Sequence, residues 1–224
     1  MRRALLTGCG VGAVLGLLAA RPAAAQTGRV PRLVLKTNVF QPLVRGYHLE
    51  LEKNWRTRPR YSLGLTLQGY YGAVTELTSR HALSPGERVR GGGLELLPRC
   101  YLPGRTPELL SGFYVAAGPH VQHFRLHFQD KGWVKQLNED ALPVYAYVPL
   151  NYVETITRYG VAAVAGYQGP LELGPLFLDF YLGLGWRAVR SRSALPDSRY
   201  RTSLVDYGTG GLYFPLGFKL GVRL

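Results

Sequence analysis

The sequence predicts an all-β protein: an eight-stranded antiparallel transmembrane up-and-down β-barrel with a polar lumen. Three observations point there. Apolar and aromatic residues recur at every second position in eight separate segments. The positions between them carry charges and glycine. The connections alternate between short pieces rich in Pro, Gly and Arg and long polar loops.

The two-residue rhythm excludes a helix. In "YHLELEKNW" (47–55), Tyr47, Leu49, Leu51 and Trp55 share one face of a strand, and His48, Glu50, Glu52 and Asn54 share the other. On a helix, side chains two apart would point about 200° apart. The first segment is "RLVLKTNVFQPL" (32–43), the second is 47–55 and the third is "YSLGLTLQGYYG" (61–72), extending to about 74. The fourth is "LELLPRCYL" (94–102), the fifth "GFYVAAGPHVQHFRLHF" (112–128) and the sixth "YGVAAVAGYQ" (159–168). The seventh, "LFLDFYLGLGWRAV" (176–189), and the eighth, "GLYFPLGFKLGVRL" (211–224), hold the rhythm longest.

Segments 2–3, 4–5 and 6–7 are joined by "RTRPR", "PGRTPELLS" and "GPLELGP". Segments 3–4, 5–6 and 7–8 are joined by loops at 75–93, 130–158 and 190–210, with Gly91–Gly93 read as a loop hinge. Short turns on one side and long loops on the other are the habit of bacterial outer-membrane barrels. An even strand number returns both termini to the periplasmic side.

The chain has 224 residues, a formal charge of +13, 15 Tyr and 28 Gly. Its basic residues are scattered singly along strands and loops rather than clustered on a helix, which argues against nucleic acid as a partner. "MRR", an apolar stretch and "AAA" before Gln26 form the three regions of an export signal, so 1–25 reads as a cleaved signal peptide and 26–224 as the barrel domain. Cleavage leaves 24 basic and 14 acidic residues, a net of +10, and one cysteine, Cys100, which excludes an internal disulfide.

The apolar face carries almost no charge at mid-strand. The other face offers Glu50, Glu52, Glu95 and Arg99, then Asp179, Arg187, Lys219 and Arg223, with Lys36 and several glycines between. A soluble sandwich or lipocalin would have the reverse polarity. Charges of both signs can pair in a narrow lumen, so these residues are expected to form a lumen network, with the apolar face on lipid. Tyr47, Trp55, Tyr61, Tyr71, Tyr159 and Trp186 are expected to form an interfacial aromatic girdle. Tyr61 and Tyr71 are ten residues apart, which at about 3.3 Å per residue and a tilt near 40° spans roughly 25 Å, the height of an apolar band.

His120, His123 and His127 do not make a metal site on a strand. The first two face opposite ways and the last two are about 13 Å apart; all three are expected at the rim of segment five. Barrel enzymes acting on acyl chains need Ser and His within hydrogen-bond reach. The nearest approach here is His81 with Ser84 in a loop. No cofactor is expected.

Several short pieces are similar to a group of small bacterial outer-membrane β-barrel proteins of unassigned function: "LKTN" (35–38), "YYG" (70–72), "LLPRCYL" (96–102) before "GFYVAAGPH" (112–120), "GYQ" (166–168) and "LDFYLGLGW" (178–186). Leu97 and Cys100 depart from the acidic residue and aromatic pair that the group usually carries in strand four. The resemblance implies fold and location and carries no catalytic residue.

The sequence therefore implies an integral outer-membrane barrel with a non-enzymatic role, structural or through its external loops. Outer-membrane lipid, lipopolysaccharide and, during insertion, the barrel-assembly machinery are its expected partners. A lipid A- or phospholipid-modifying barrel enzyme is the alternative, and a soluble periplasmic lipid-binding barrel the third.

Overall fold

The structure is a computed structural model describing residues 32–55, 57–76, 78, 86–103, 110–137, 142–171, 175–194, 200–201 and 205–224. The expected signal peptide, the His81/Ser84 pair and parts of the loops lie outside the described residues. The strands are β1 (Leu33–Asn38), β2 (Gly46–Trp55), β3 (Arg58–Ala73), β4 (Arg88–Tyr101), β5 (Gly112–Leu137), β6 (Pro143–Pro170), β7 (Leu176–Ser193), β8 (Gly211–Tyr213) and β9 (Leu216–Arg223). β8 and β9 are two halves of one stave, interrupted at Phe214–Pro215, and both pair with β7. Each stave pairs antiparallel with its sequence neighbour, and β9 returns to β1, so eight staves close into a ring. Leu33 and Leu224 meet at one rim, called here the terminal end; the opposite rim bears the long connections.

Side chains alternate across a wall one strand thick, so each stave shows one face outward and one into the lumen. The outward face is apolar: Leu182 is 56% exposed and Leu184 49%, whereas Asp179 on the other face of the same strand is 0% exposed. The polarity is the reverse of a water-soluble barrel.

Three strands run further than alternation alone shows. The region expected as a loop at 130–158 is mostly hairpin: β5 and β6 pair from Gly112↔Gln168 to Leu137↔Pro143. β4 leaves β5 at Arg88↔His127 and β7 leaves β6 at Glu154↔Ser193. Residues 128–137 and 143–152 therefore pair only with each other, as a two-stranded ribbon rising roughly 30 Å beyond the ring. Residues 142–153, LPVYAYVPLNYV, are apolar or aromatic at nearly every position, so the strand displays no two-residue alternation there.

Gly91–Gly93 is likewise not a hinge. The three glycines lie within β4, paired to Gln68–Tyr70 on one side and Gln122–Phe124 on the other. A Cβ on Gly93 would sit 2.7 Å from the Val121 carbonyl oxygen and 2.8 Å from Gln122 Cγ, and one on Gly91 would sit 2.5 Å from the His123 carbonyl oxygen. The lumen leaves no room for a side chain there.

The lumen is filled in layers. At the terminal end Val34, Tyr101, Leu110, Tyr114 and Phe177 form an apolar cluster. At the other end Tyr70, Phe124, Leu126, Ile156, Tyr200 and Tyr207 form a second. Between the two lie the charged and polar residues.

Gly93→Val should destabilise the barrel by about 1–3 kcal/mol through overpacking, while Gly69→Ala, whose Cβ would meet nothing nearer than 3.9 Å, should be silent. The temperature at which the compact band disappears from unboiled SDS gels reads both.

Candidate functional site

The terminal half of the lumen is closed by an ion cluster drawn from five strands. Lys36 of β1, Glu50 and Glu52 of β2, Arg99 of β4, Asp179 of β7 and Lys219 of β9 converge with side-chain exposures of 4% or less. Lys36 Nζ lies 2.8 Å from Asp179 Oδ2, 2.5 Å from Glu52 Oε2 and 3.1 Å from Glu50 Oε1. Arg99 reaches Glu50 Oε1 at 2.6 Å and Asp179 Oδ2 at 2.8 Å, and Lys219 pairs with Glu50. Three cations face three anions. Hydroxyls cap the remaining carboxylate oxygens: Tyr101 donates to Glu52 at 2.7 Å, Tyr114 to Asp179 at 2.6 Å, and Ser62 to Glu52. The Arg99 guanidinium also lies 4.6 Å from the Tyr114 ring centroid. Charges so buried persist only when paired and hydrogen-bonded.

Of the eight charged residues singled out from sequence, Glu50, Glu52, Arg99, Asp179 and Lys219 meet in this cluster. Glu95, Arg187 and Arg223 do not. Glu95 is four residues from Arg99 on β4, about 13 Å along the strand, so it sits in a different layer from the cluster. Arg187 lies higher, its Nε donating to the Thr209 carbonyl at 2.8 Å with its guanidinium 4.8 Å from the Tyr213 ring. Arg223 stacks over Phe177 at 4.3 Å near the terminal rim. Lys36 stood on the charged parity in the sequence; nothing there showed it touching three carboxylates. Gln168 is a further member, accepting from Lys36 at 2.5 Å and Arg99 at 3.1 Å.

The aromatic residues expected as a girdle all face outward. Tyr47, Trp55, Tyr61 and Tyr71 lie near strand ends, whereas Tyr159 and Trp186 lie within β6 and β7, which run on to Pro143 and Ser193.

Above the cluster lies a cavity of about 360 Å³ whose lining includes His48, Gln68, Glu95, His120, Arg158 and Arg187. His120 is thus a buried lumen residue rather than a rim one, and His123 faces outward beside Thr157. A polar chain crosses the cavity: Arg158 donates to Gln122, whose amide donates to Gln68 Oε1 at 2.5 Å and Tyr70 Oη at 2.9 Å. His48 meets Tyr70 Oη at 2.9 Å and His120 meets Tyr213 Oη at 3.3 Å. Each histidine is thus held by a phenol, not by the serine or carboxylate that nucleophilic chemistry requires. Among the described residues none gives the Glu95 carboxylate a hydrogen bond or ion pair. These features were illegible in the sequence, because polar residues on the lumen parity of seven strands gain meaning only when register stacks them.

No protein-family model matches the chain, and no curated protein sequence resembles it significantly. Among solved structures it is similar to Acinetobacter baumannii CarO, with TM-score 0.38 and 11% identity, covering 87% of this chain and 98% of that one. It is also similar to Acinetobacter baumannii CarO2, with TM-score 0.32 and 14% identity over the same shares. Likeness at this level carries no functional argument.

Lys36→Met or Asp179→Leu alone should each cost about 3–5 kcal/mol by leaving a buried charge unmatched. The double substitution, which restores the balance of sign, should recover part of that loss. Urea unfolding in lipid vesicles, followed by tryptophan fluorescence, measures all three. With the ion cluster intact across the lumen, the wild type should carry no steady current in planar bilayers.

Proposed function

We propose that this chain is an integral outer-membrane barrel protein with a non-enzymatic role, acting as a structural and surface-contact element at the outer face. The carrying observation is the inverted wall: large apolar side chains exposed around the outside and paired charges inside. In water an apolar belt of this extent far exceeds the few hundred Å² a soluble monomer exposes; a bilayer removes the penalty. The ladders of the closed ring pair backbone groups across neighbouring staves, which hydrocarbon demands, with a lapse in the eighth stave at Phe214–Pro215.

In this proposal residues 1–25 are removed on export and 26–224 form the mature barrel, with both ends periplasmic. The β5–β6 ribbon then projects outward. Trp133, Tyr145 and Tyr147 on it are 68%, 67% and 55% exposed, a concentration of aromatic surface suited to contact with another molecule. Just above the apolar belt, Arg90, Arg125, Thr155 and Arg192 follow one another in register across β4 to β7, all facing outward. Guanidiniums at that level suit the phosphates of lipopolysaccharide, which they can bind bidentately. The barrel-assembly machinery is its expected partner during insertion, and the molecule recognised by the ribbon is an external partner without assignment.

The protein should remain in the outer-membrane pellet after carbonate washing and be released by detergent. Leu182→Arg should cost about 2–4 kcal/mol, the scale for a basic residue on the lipid face at mid-bilayer. Release by carbonate alone, or a silent Leu182→Arg, would overturn the membrane reading.

A further inference from the structure

The outer wall away from the termini carries a charge pattern that the fold itself does not need. Arg90 of β4 stands directly opposite Arg125 of β5, and like charges placed opposite one another across a ladder repel. Arg192 of β7 continues the row beyond Thr155. Arg88 lies two residues above Arg90, and Arg190 two residues below Arg192, on the same outward parity. All five arginines are exposed. Within the stretches 88–94, 121–127, 153–159 and 186–192 the one acidic residue is Glu154, which points inward and is buried. Among the described residues none of the five arginines has an ion-pair partner. The repulsion is left standing unless an anion lies on the wall.

The patch has two lobes. Arg90 and Arg125 are opposite partners, about 5 Å apart at the backbone, with Arg88 one step above, about 7 Å along the strand. Arg192 stands two strands from Arg125, about 10 Å away at ladder spacing, with Arg190 one step below. Between the lobes the wall offers hydroxyls, Thr155 in the upper row and Thr157 in the lower, the second joined to His123 Nδ1 at 2.9 Å. The Arg90 guanidinium lies 5.6 Å from the Tyr71 ring centroid, which holds it against the wall. Directly below the patch, the exposed side chains of Leu94, Val121, Tyr159 and Trp186 begin the apolar belt. Cations at both ends, hydroxyls between them and an apolar wall beneath match, group by group, an acylated disaccharide with a phosphate at each end.

From these observations we infer that the β4–β7 wall holds one molecule of the bisphosphorylated, acylated disaccharide of lipopolysaccharide as a bound ligand, not as passing solvent. One phosphate lies between Arg90 and Arg125 with Arg88 above it, and the other lies at Arg190 and Arg192. Thr155 and Thr157 meet the sugar, and the acyl chains run down over Leu94, Val121 and Tyr159. Guanidiniums grip phosphate bidentately, so this wall takes the place that a hard divalent cation otherwise holds between phosphates. The inference rests on the membrane reading above and adds to it a site, a ligand and a stoichiometry.

Native mass spectrometry of the detergent-solubilised protein tests this, with bisphosphoryl lipid A, its monophosphoryl form and tetraoleoyl cardiolipin as probes, all in the presence of EDTA. Only preparations that resist carbonate and shift on unboiled gels enter the comparison, so failure there counts against the membrane reading and not against the site. The expected result is one bisphosphoryl lipid A retained per barrel at a concentration about tenfold below that needed for either other lipid. Arg125→Gln with Arg192→Gln should lower that retention about tenfold. Arg58→Gln with Arg60→Gln, which removes the same charge from exposed positions at the terminal rim, should leave it unchanged. Arg125→Lys with Arg192→Lys, which keeps the charge and loses the fork, should weaken it severalfold. Equal retention of cardiolipin, or equal effects of the two Gln pairs, would mean attraction by charge alone and overturn the proposal. Equal retention of the monophosphoryl form would overturn the second lobe, and loss of all retention in EDTA would show a bridging metal in place of the arginines. If the Arg125 and Arg192 variants do not fold, the wild-type ranking of the three lipids decides on its own.

Discussion

The rest of the structure depends on the six-charge cluster at the lumen of the terminal half. An eight-stranded wall whose outer face must suit hydrocarbon cannot fold by hiding its apolar side chains inside. What remains to specify the ring is the inner face. Lys36, Glu50, Glu52, Arg99, Asp179 and Lys219 come from five strands, with contacting pairs up to 169 residues apart in sequence, and they pair only in one register. A one-residue slip of any stave would turn its charges onto lipid; a two-residue slip would keep them inside but unmatched. A buried ion pair adds little net stability over an apolar substitute, so its service here is to penalise every wrong ring.

Below the cluster lies the apolar terminal layer, and above it the cavity lined by polar groups. This asymmetry follows from how the glycines are placed. Gly91 and Gly93 let β5 and the Gln122 and Phe124 side chains come close on the upper side, which narrows the lumen until the aromatic plug fills it. On the lower side Gly221 does the same beside Lys36, where a Cβ would lie 2.7 Å from its Cγ. The cavity survives between two constrictions, where the ladder of the eighth stave lapses and takes no side in the packing.

The ring, its strand order and its inverted polarity were legible in the sequence, because period-two alternation reports directly on a wall that separates two unlike media. Segments two, three and seven show it most plainly, and their bounds differ from the strands by only a few residues. The cluster was legible as a parity but not as a contact list. Glu95 shares the face of Arg99 and yet belongs to another layer, a distinction made by shear between strands, which no single segment records. The ribbon was hidden for the opposite reason: beyond Phe128 both faces of the hairpin meet water, so alternation stops carrying information just where the strands leave the ring. Pro215 could have signalled the lapse in the eighth stave, since proline inside an otherwise regular strand marks a break in the ladder. The uninterrupted apolar rhythm from Leu212 to Leu224 outweighed it.

The features that can meet another molecule all lie in one half of the barrel. The aromatic ribbon, the outward arginine row and the cavity sit on the side away from the termini, while the terminal half is packed solid by ions and apolar residues. A molecule that reached the cavity would find the lysines and carboxylates below already satisfied by one another, with no vacancy to step into. A conduit must offer successive weak sites along its axis, whereas here the closed ion pairs of the lower half hold the ring in register. The sequence invests its charges in that seal, and the ladder of the eighth stave lapses above it, at Phe214–Pro215.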